Sequence, residues 1–265
     1  MPHIKANSNI EWHYQMEGER ECLLFIHGWG VDGRIWRQQT KHFADNFKVI
    51  AIDLPGHGKS GWHSVTLSDM SKDIYFILNE LNIKRVVLIG SSLGGLLALK
   101  YYEMFPQGVK DMIMVGSMPK FSKSEDYPYG LDIERMRKLE HQVEDAYPSI
   151  VHIFFRSLFT KEERQTRRYK WLQKFRKYDI VPIKPALVEY LDILEREDLR
   201  DVLKAAPIPI QFINGAGDEI CCQDTVGYLK SVRPNDKFYE FEHCGHFPFL
   251  SKAHEFNTIL EEILT

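Results

Sequence analysis

Short, nearly unbroken apolar runs alternate along the chain with longer segments in which apolar residues recur every three or four positions. The apolar runs predict strands, and they fall at residues 10–15, 22–26, 48–54, 86–89, 112–115, 208–213 and 237–241. The periodic segments predict helices, and they fall at residues 33–44, 67–81, 94–105, 222–231 and 254–264. Continuous apolar strands separated by helices predict an α/β fold with a mostly parallel central sheet and helices on both faces.

One long region interrupts this alternation. Residues 119–205 have a helical pattern, are rich in charged and aromatic side chains, and contain no convincing strand. Such an insertion is too long for a simple crossover between strands, and it predicts a helical cap (lid) over the carboxyl edge of the sheet. An independent helical domain is the less favoured alternative, because both ends return to sheet strands. The predicted core therefore has a first part, 1–118, and a second part, 206–265.

The segment GSSLG at residues 90–94 lies between a predicted strand and a predicted helix. A serine flanked two positions away on each side by glycine is typical of a nucleophile elbow in this context. The turn is so sharp that only small residues fit beside it, and it leaves the serine hydroxyl exposed at the carboxyl end of the strand. The pattern predicts Ser92 as a catalytic nucleophile.

A serine hydroxyl is a weak nucleophile, so it needs a base to take its proton and an acid to orient that base. With such an elbow, the chain order is serine, then acid, then histidine. His246 follows the last predicted strand and is favoured over His243, which belongs to the strand end. Asp218 follows a predicted strand and a glycine turn. Its neighbour Glu219 stays open as an alternative acid.

The oxyanion of an acyl-transfer intermediate needs two hydrogen-bond donors. One is the backbone N–H of Leu93, the residue after the nucleophile. The segment HGWG at residues 27–30 follows an early strand, and it predicts Trp29 as the second backbone donor, with its indole walling the pocket. Asp53, in the segment DLPGHGKS, precedes the serine in chain order. We interpret that segment as a structural turn.

Composition narrows the class of protein. The chain has 265 residues and a formal net charge of −3, which gives no overall attraction to nucleic acid or to an anionic membrane. The first residues lack the apolar stretch of a signal peptide, and no apolar run approaches membrane-spanning length. Four cysteines, two of them adjacent, do not form a disulfide framework in a chain of this size. We therefore expect a cytoplasmic protein with no metal and no cofactor.

These motifs resemble the α/β-hydrolase superfamily over essentially the whole chain. Within it, they are similar to the pimeloyl-[acyl-carrier protein] methyl ester carboxylesterases of biotin synthesis. The resemblance is carried by FIHGWG at 25–30, DLPGHGKS at 53–60, SLGGL at 92–96, GHFPF at 245–249, and by residues 121–122 and 127–128. It implies a serine esterase that hydrolyses the methyl ester of pimeloyl chains on acyl carrier protein, through a Ser-His-Asp triad and an acyl-enzyme.

That family binds its acidic carrier through arginines on the cap. Residues 161–177 hold eight basic and two acidic side chains. Arg164 and Arg168 stand one helical turn apart with Arg167 beside them, so these three are the candidates for carrier docking. A solvated helix face is the alternative. The preceding cap helix departs from the family pattern, since it offers only Arg156.

Two aromatic residues of the cap, Phe154 and Phe155, are candidates for lining an acyl channel, with packing in the core as the alternative. Other functions stay open on the same residues. They are a general small-ester hydrolase, a carbon–carbon bond hydrolase or lyase with the same triad, and a ligand receptor that keeps the pocket without using its triad. The expected partner is a small acyl ester, presented by acyl carrier protein if the resemblance holds, and neither nucleic acid nor membrane.

Overall fold

The computed structural model describes residues 2–176 and 181–265, and within them eight strands form one sheet. The strands are β1 (His3–Lys5), β2 (Glu11–Glu17), β3 (Cys22–Ile26), β4 (Lys48–Ile52), β5 (Val86–Ser91), β6 (Val109–Val115), β7 (Ile210–Gly215) and β8 (Lys237–Phe241). Their order across the sheet is β1-β2-β4-β3-β5-β6-β7-β8. The pairings β1–β2 and β2–β4 are antiparallel, and those from β4 onward to β8 are parallel. The predicted mostly parallel sheet is confirmed.

Helices cover the sheet and fill the long insertion. They are α1 (Arg37–Phe43), α2 (Leu67–Glu80), α3 (Leu93–Met104), α4 (Ile133–Ala146), α5 (Ser149–Ser157), α6 (Arg167–Arg176), α7 (Lys184–Arg196), α8 (Arg200–Ala205), α9 (Gln223–Val232), α10 (Pro248–Ser251) and α11 (Ala253–Leu264). The predicted helix at 33–44 begins as a 3-10 turn, Gly33–Trp36, before α1. Helix α2 is capped by Thr66, the residue before it, whose side chain forms a reciprocal capping box with Asp69.

The centre of the sheet is apolar on both faces. Every residue of β3 and of β5 is buried, as expected for parallel strands covered by helices on both sides. Trp36 stacks on Phe249 with ring centroids 4.0 Å apart, which packs the start of α1 against α10. Strand β1 was not predicted, because three partly exposed residues carry no hydrophobic period.

In the described residues between β6 and β7, the chain forms five α-helices, α4 to α8. The division into a core, 1–118 and 206–265, and a cap, 119–205, stays a prediction. The run of helices between β6 and β7 supports it. None of the helices in the described residues is long and apolar enough to cross a membrane. The expected cytoplasmic location stays a prediction.

Candidate active site

Ser92 lies on a strained turn between β5 and α3. Its backbone has φ 55° and ψ −122°, a conformation that is unusual for a residue with a side chain. The flanking glycines are required by close backbone contacts. A Cβ on Gly90 would lie 2.3 Å from the carbonyl oxygen of Gly94, and one on Gly94 would lie 2.3 Å from that of Ile26. The backbone N–H of Ser92 donates to Val115 at 2.9 Å, which ties the turn to the neighbouring strand.

Asp218 and His246 form a buried pair at the ends of β7 and β8. Nδ1 of His246 lies 2.8 Å from Oδ2 of Asp218, and the two residues are 2% and 4% exposed. The other carboxylate oxygen, Oδ1, accepts backbone N–H groups of Ile220 at 2.8 Å and Cys221 at 3.2 Å. Because an ionised carboxylate only accepts, Nδ1 of His246 carries the proton and Nε2 is left as a proton acceptor.

The rival residues lie elsewhere. The Glu219 carboxylate is exposed, 3.9 Å from the guanidinium of Arg135, and His243 is exposed at the end of β8. Ser92 and His246 line one cavity. No hydrogen bond joins their side chains in the described part of the chain, which is common before substrate binds. The structure thus brings together Ser92, His246 and Asp218, and not Glu219 or His243.

The HGWG loop passes directly over the nucleophile. A Cβ on Gly28 would lie 3.0 Å from the Cβ of Ser92 and 3.1 Å from the backbone oxygen of Ser91, so a side chain there would crowd the nucleophile. The indole N–H of Trp29 donates to the backbone oxygen of Leu187 in α7 at 2.9 Å. Leu93 is the first residue of α3, and the first N–H groups of a helix have no acceptor within it. The loop and the helix start flank the hydroxyl, as the oxyanion prediction requires, and the donor roles stay predictions.

Two buried histidines shape this loop, and the sequence analysis assigned them no role. Nε2 of His27 accepts the N–H of Leu54 at 2.9 Å, while its Nδ1 faces the oxygen of Gly28 at 2.8 Å. Nε2 of His57 accepts the N–H of Gly30 at 3.3 Å. Burial lowers the pKa of His27, and it lowers the pKa of His57 to about 3. Both rings are therefore neutral at pH 7, and they fix the loop by hydrogen bonds.

Asp53 has a structural place beneath the same loop. Oδ1 accepts the N–H of Gly33 at 2.8 Å, and Oδ2 accepts the N–H of Lys59 at 2.9 Å and faces Nδ1 of His13 at 2.8 Å. Burial alone would raise the pKa of Asp53, but the hydrogen bond from His13, the nearby His27 and the backbone donors hold it below its usual value. This contact pattern supports the interpretation of residues 53–60 as a structural turn.

A cavity of about 320 Å³ opens on the Ser92 hydroxyl. Gly28, Trp29 and His246 form its wall near the nucleophile. The remaining wall is mostly apolar and comes mainly from the insertion, with Phe121, Leu131, Met136, Ile150, Phe154, Leu158, Leu191 and Leu194 among its side chains. Such a cavity suits a hydrocarbon chain with a reactive group at the serine end.

Helix α4 adds polar side chains to this cavity that the sequence analysis did not single out. Arg135, Lys138 and Gln142 line it from one face of the helix. Their spacing of three and four residues was visible in the sequence, but nothing there showed that this face would turn toward the sheet. The lining of the cavity is therefore mostly apolar and includes two cationic side chains from α4.

The two candidate channel residues are separated by the structure. Phe154 lines the cavity, and its ring meets the indole of Trp29 edge-on at 4.7 Å between centroids. Phe155 is buried and packs against Phe159 at 5.0 Å and Phe247 at 5.9 Å. Only Phe154 is thus brought to the nucleophile's cavity, because successive helical residues point in directions 100° apart.

The three candidate docking arginines also differ. Nε of Arg168 donates to the backbone oxygen of Leu250 at 2.7 Å, and its guanidinium lies 4.8 Å above the ring of Trp171. Burial lowers the pKa of Arg168, which is half-buried. Arg167 is exposed and Arg164 is partly exposed. Arg168 therefore fastens α6 to α10, and Lys177, the last residue of the basic segment, lies outside the described residues.

Residues 21–253 match the family model described as the alpha/beta hydrolase fold. The chain belongs to the α/β-hydrolase family. It is 31% identical over 248 residues to a pimeloyl-[acyl-carrier protein] methyl ester esterase of Klebsiella pneumoniae, covering 92% of this chain and 93% of that protein. An enzyme of the same name from Nitrosomonas europaea is 28% identical over 244 residues, covering 92% and 96%. Together these matches confirm the predicted resemblance and the predicted enzyme class, a hydrolase of carboxylic esters.

Solved structures show the same fold. An esterase from Exiguobacterium antarcticum superposes with a TM-score of 0.90 at 23% identity, covering 98% of each chain. A bromoperoxidase from Bacillus anthracis superposes with a TM-score of 0.89 at 24% identity, covering 99% of each. The predicted fold class is therefore confirmed. Among the described residues, no group of three or more His, Cys, Asp or Glu side chains could hold a metal ion.

Proposed function

We propose that this protein is a serine carboxylesterase that hydrolyses pimeloyl-[acyl-carrier protein] methyl ester in biotin synthesis. The observation that carries this proposal is the position of Ser92, on a strained elbow that opens into the same apolar cavity as the His246–Asp218 pair. The relatives named for this ester supply the substrate, since they match over more than nine-tenths of the chain.

In the first half of the reaction, Nε2 of His246 takes the proton of Ser92 Oγ, which attacks the ester carbonyl carbon. The backbone N–H groups of Leu93 and Trp29 stabilise the oxyanion of the tetrahedral intermediate. His246 then protonates the leaving methanol, and an acyl-enzyme on Ser92 remains. Asp218 holds Nδ1–H of the imidazole and stabilises its charged form.

In the second half, His246 takes a proton from a water molecule, which attacks the acyl-enzyme carbonyl. The second intermediate collapses, His246 returns the proton to Ser92 Oγ, and the free carboxylate leaves. The apolar wall of the cavity suits the methylene chain of a pimeloyl group. The cations Arg135 and Lys138 beside it, with Arg164 and Arg167 on the cap, suit an acidic carrier protein.

The deciding experiment compares pimeloyl-[acyl-carrier protein] methyl ester with the free dimethyl ester of pimelate and a short p-nitrophenyl ester. We expect kcat/KM to be highest on the carrier-linked ester and activity on all three to disappear in Ser92→Ala. Equal kcat/KM on linked and free methyl esters would indicate a general small-ester hydrolase. No turnover of any ester by the intact protein would contradict the proposed function and favour a receptor.

A further inference from the structure

One buried carboxylate in the insertion is not used by the proposed chemistry. Glu163 is 7% exposed and begins a 3-10 turn, Glu163–Gln165. Its Oε2 accepts the backbone N–H of Thr160 at 2.6 Å and that of Gly245 at 2.9 Å, and its Oε1 accepts the thiol of Cys244 at 3.3 Å. Donors from two distant parts of the chain thus converge on one carboxylate.

The bonds between Glu163 and Thr160 lie within a single turn of the chain. The hydroxyl of Thr160 accepts the N–H of Glu163 at 3.1 Å, and the Glu163 carboxylate accepts the N–H of Thr160, which is a capping box. A capping box needs no partner outside its own turn. The bonds to Cys244 and Gly245 span 81 and 82 residues, so they require a separate explanation.

Those distant donors belong to the loop that carries His246. The backbone N–H of His246 donates to the oxygen of Leu158 at 2.8 Å, and the oxygen of Cys244 accepts the N–H of Gly217 at 2.8 Å. The insertion thus holds the loop at His246, and the Asp218 turn holds it at Cys244. Glu163 supplies the bond between these two points.

Gly245 shows how closely the segments fit. A Cβ at this position would lie 2.4 Å from the backbone oxygen of Leu158 and 3.1 Å from Oε2 of Glu163. Burial, followed by the charge of the Glu163 carboxylate, raises the pKa of the Cys244 thiol. The thiol therefore stays protonated and remains a hydrogen-bond donor at neutral pH.

We propose that Glu163 is a positioning residue for His246. Its carboxylate binds the N–H of Gly245 and thereby fixes the backbone from which the imidazole projects toward Ser92. The insertion then does more than wall the cavity, because it sets the orientation of the general base. This inference rests on the proposed role of His246.

The test uses Glu163→Ala and Glu163→Gln, with Glu162→Gln as the matched control on the exposed neighbouring carboxylate. We expect Glu163→Ala to lower kcat by about tenfold to a hundredfold with KM unchanged, because a small displacement of a catalytic group is costly. Glu163→Gln keeps one amide oxygen for the Gly245 N–H and should lose less. Glu162→Gln should match the unaltered protein. Assays are run on protein shown to be folded, well below its unfolding temperature.

A further readout separates positioning from simple stability. The proton NMR signal of His246 Nδ1–H should shift or broaden in Glu163→Ala, and this readout does not depend on turnover. A folded Glu163→Ala with unchanged kcat and an unchanged Nδ1–H signal would overturn the proposal. If the intact protein hydrolyses no ester, the proposed function fails, and the NMR signal still decides on Glu163.

Discussion

The candidate residues on the sheet edge and those on the insertion differ in how closely the structure groups them. Ser92, Asp218 and His246 each follow a strand, and the structure brings all three to one edge of the sheet. In the insertion, Phe155 and Arg168 turn into the protein and away from the roles that the sequence suggested. The end of a strand therefore fixes where a side chain lies, whereas a helix can present the same side chain in different directions.

The two regions differ because different physical features fix the positions of their side chains. Parallel strands place their carboxyl ends together whatever covers the sheet, so chain order and glycine turns were sufficient to place Ser92, Asp218 and His246 at one edge. A helix can rotate until its apolar stripe meets a partner, and an arginine can bury its stem while keeping its charge near water. Arg168 goes further and buries part of its guanidinium, which stacks on Trp171 and donates through Nε to Leu250.

The largest expected effect comes from Ser92→Ala on the sheet edge. Turnover of a p-nitrophenyl ester should fall by roughly a millionfold, as for loss of a serine nucleophile elsewhere. Ser91→Ala is the matched control, because its buried hydroxyl has no hydrogen-bond partner in the described residues. That variant should keep its activity. Retained activity in folded Ser92→Ala would place the nucleophile elsewhere.

The next largest effect is expected at Asp218, the candidate acid, and the adjacent Glu219 provides the control. Asp218→Asn should lower kcat by about ten-thousandfold, because the amide cannot stabilise the charged imidazole and favours the wrong tautomer. Glu219→Gln should have little effect, since that carboxylate is exposed. Rate measurements on one ester suffice. A larger loss in Glu219→Gln would show the acid assignment to be wrong by one residue.

The fold and the strand-end positions of the three candidate catalytic residues could thus be predicted from the sequence, while contacts between motifs could not. HGWG and DLPGHGKS were each recognised, but the bond from Gly30 to His57 depends on how the two loops meet beside β3 and β4. Glu163 likewise stands in a visible Thr-x-x-Glu pattern, and its second partner lies 82 residues away. Sequence shows local hydrogen-bonding patterns and does not show which distant backbone will use the remaining acceptor.

A smaller effect is expected at His57, the neutral histidine that accepts the N–H of Gly30 in the HGWG loop. The pKa of His57 is about 3 in the folded protein, against an ordinary value of 6.5. The unfolded chain therefore binds more protons between these values, and His57 makes the free energy of unfolding decrease as pH falls from 6.5 toward 3. His57→Gln removes this titration. At pH 7 it should lower the free energy of unfolding by about 1–3 kcal/mol, because a fully buried imidazole that stacks on Tyr190 is replaced by a side chain of another shape.

Urea unfolding of both proteins across this pH range is the measurement. The difference in unfolding free energy between the unaltered protein and His57→Gln should narrow as pH falls. A constant difference would mean that His57 titrates normally in the folded protein. His63→Gln is the control. His63 is exposed, so its replacement should not make the difference in unfolding free energy narrow as pH falls.

The smallest expected effect tests the insertion's outer surface. Replacing Arg164 and Arg167 together by Gln should lower kcat/KM on the carrier-linked ester by up to about tenfold, because exposed charges steer an anionic partner without touching the chemistry. Hydrolysis of a p-nitrophenyl ester should be unchanged. Added salt should reproduce the loss in the unaltered protein, since charges are screened over roughly 8 Å at about 0.15 M.

Arg168→Gln provides the complementary test, since its replacement should not discriminate between the two kinds of ester. Because Arg168 fastens α6 to Leu250 and packs on Trp171, its replacement should lower the unfolding temperature and affect linked and free esters alike. A loss confined to the carrier-linked ester would return Arg168 to the docking surface. If the Arg164 and Arg167 replacement leaves both substrates unaffected, that face is a solvated helix surface, and recognition of the carrier must then depend on the cations of α4 beside the cavity.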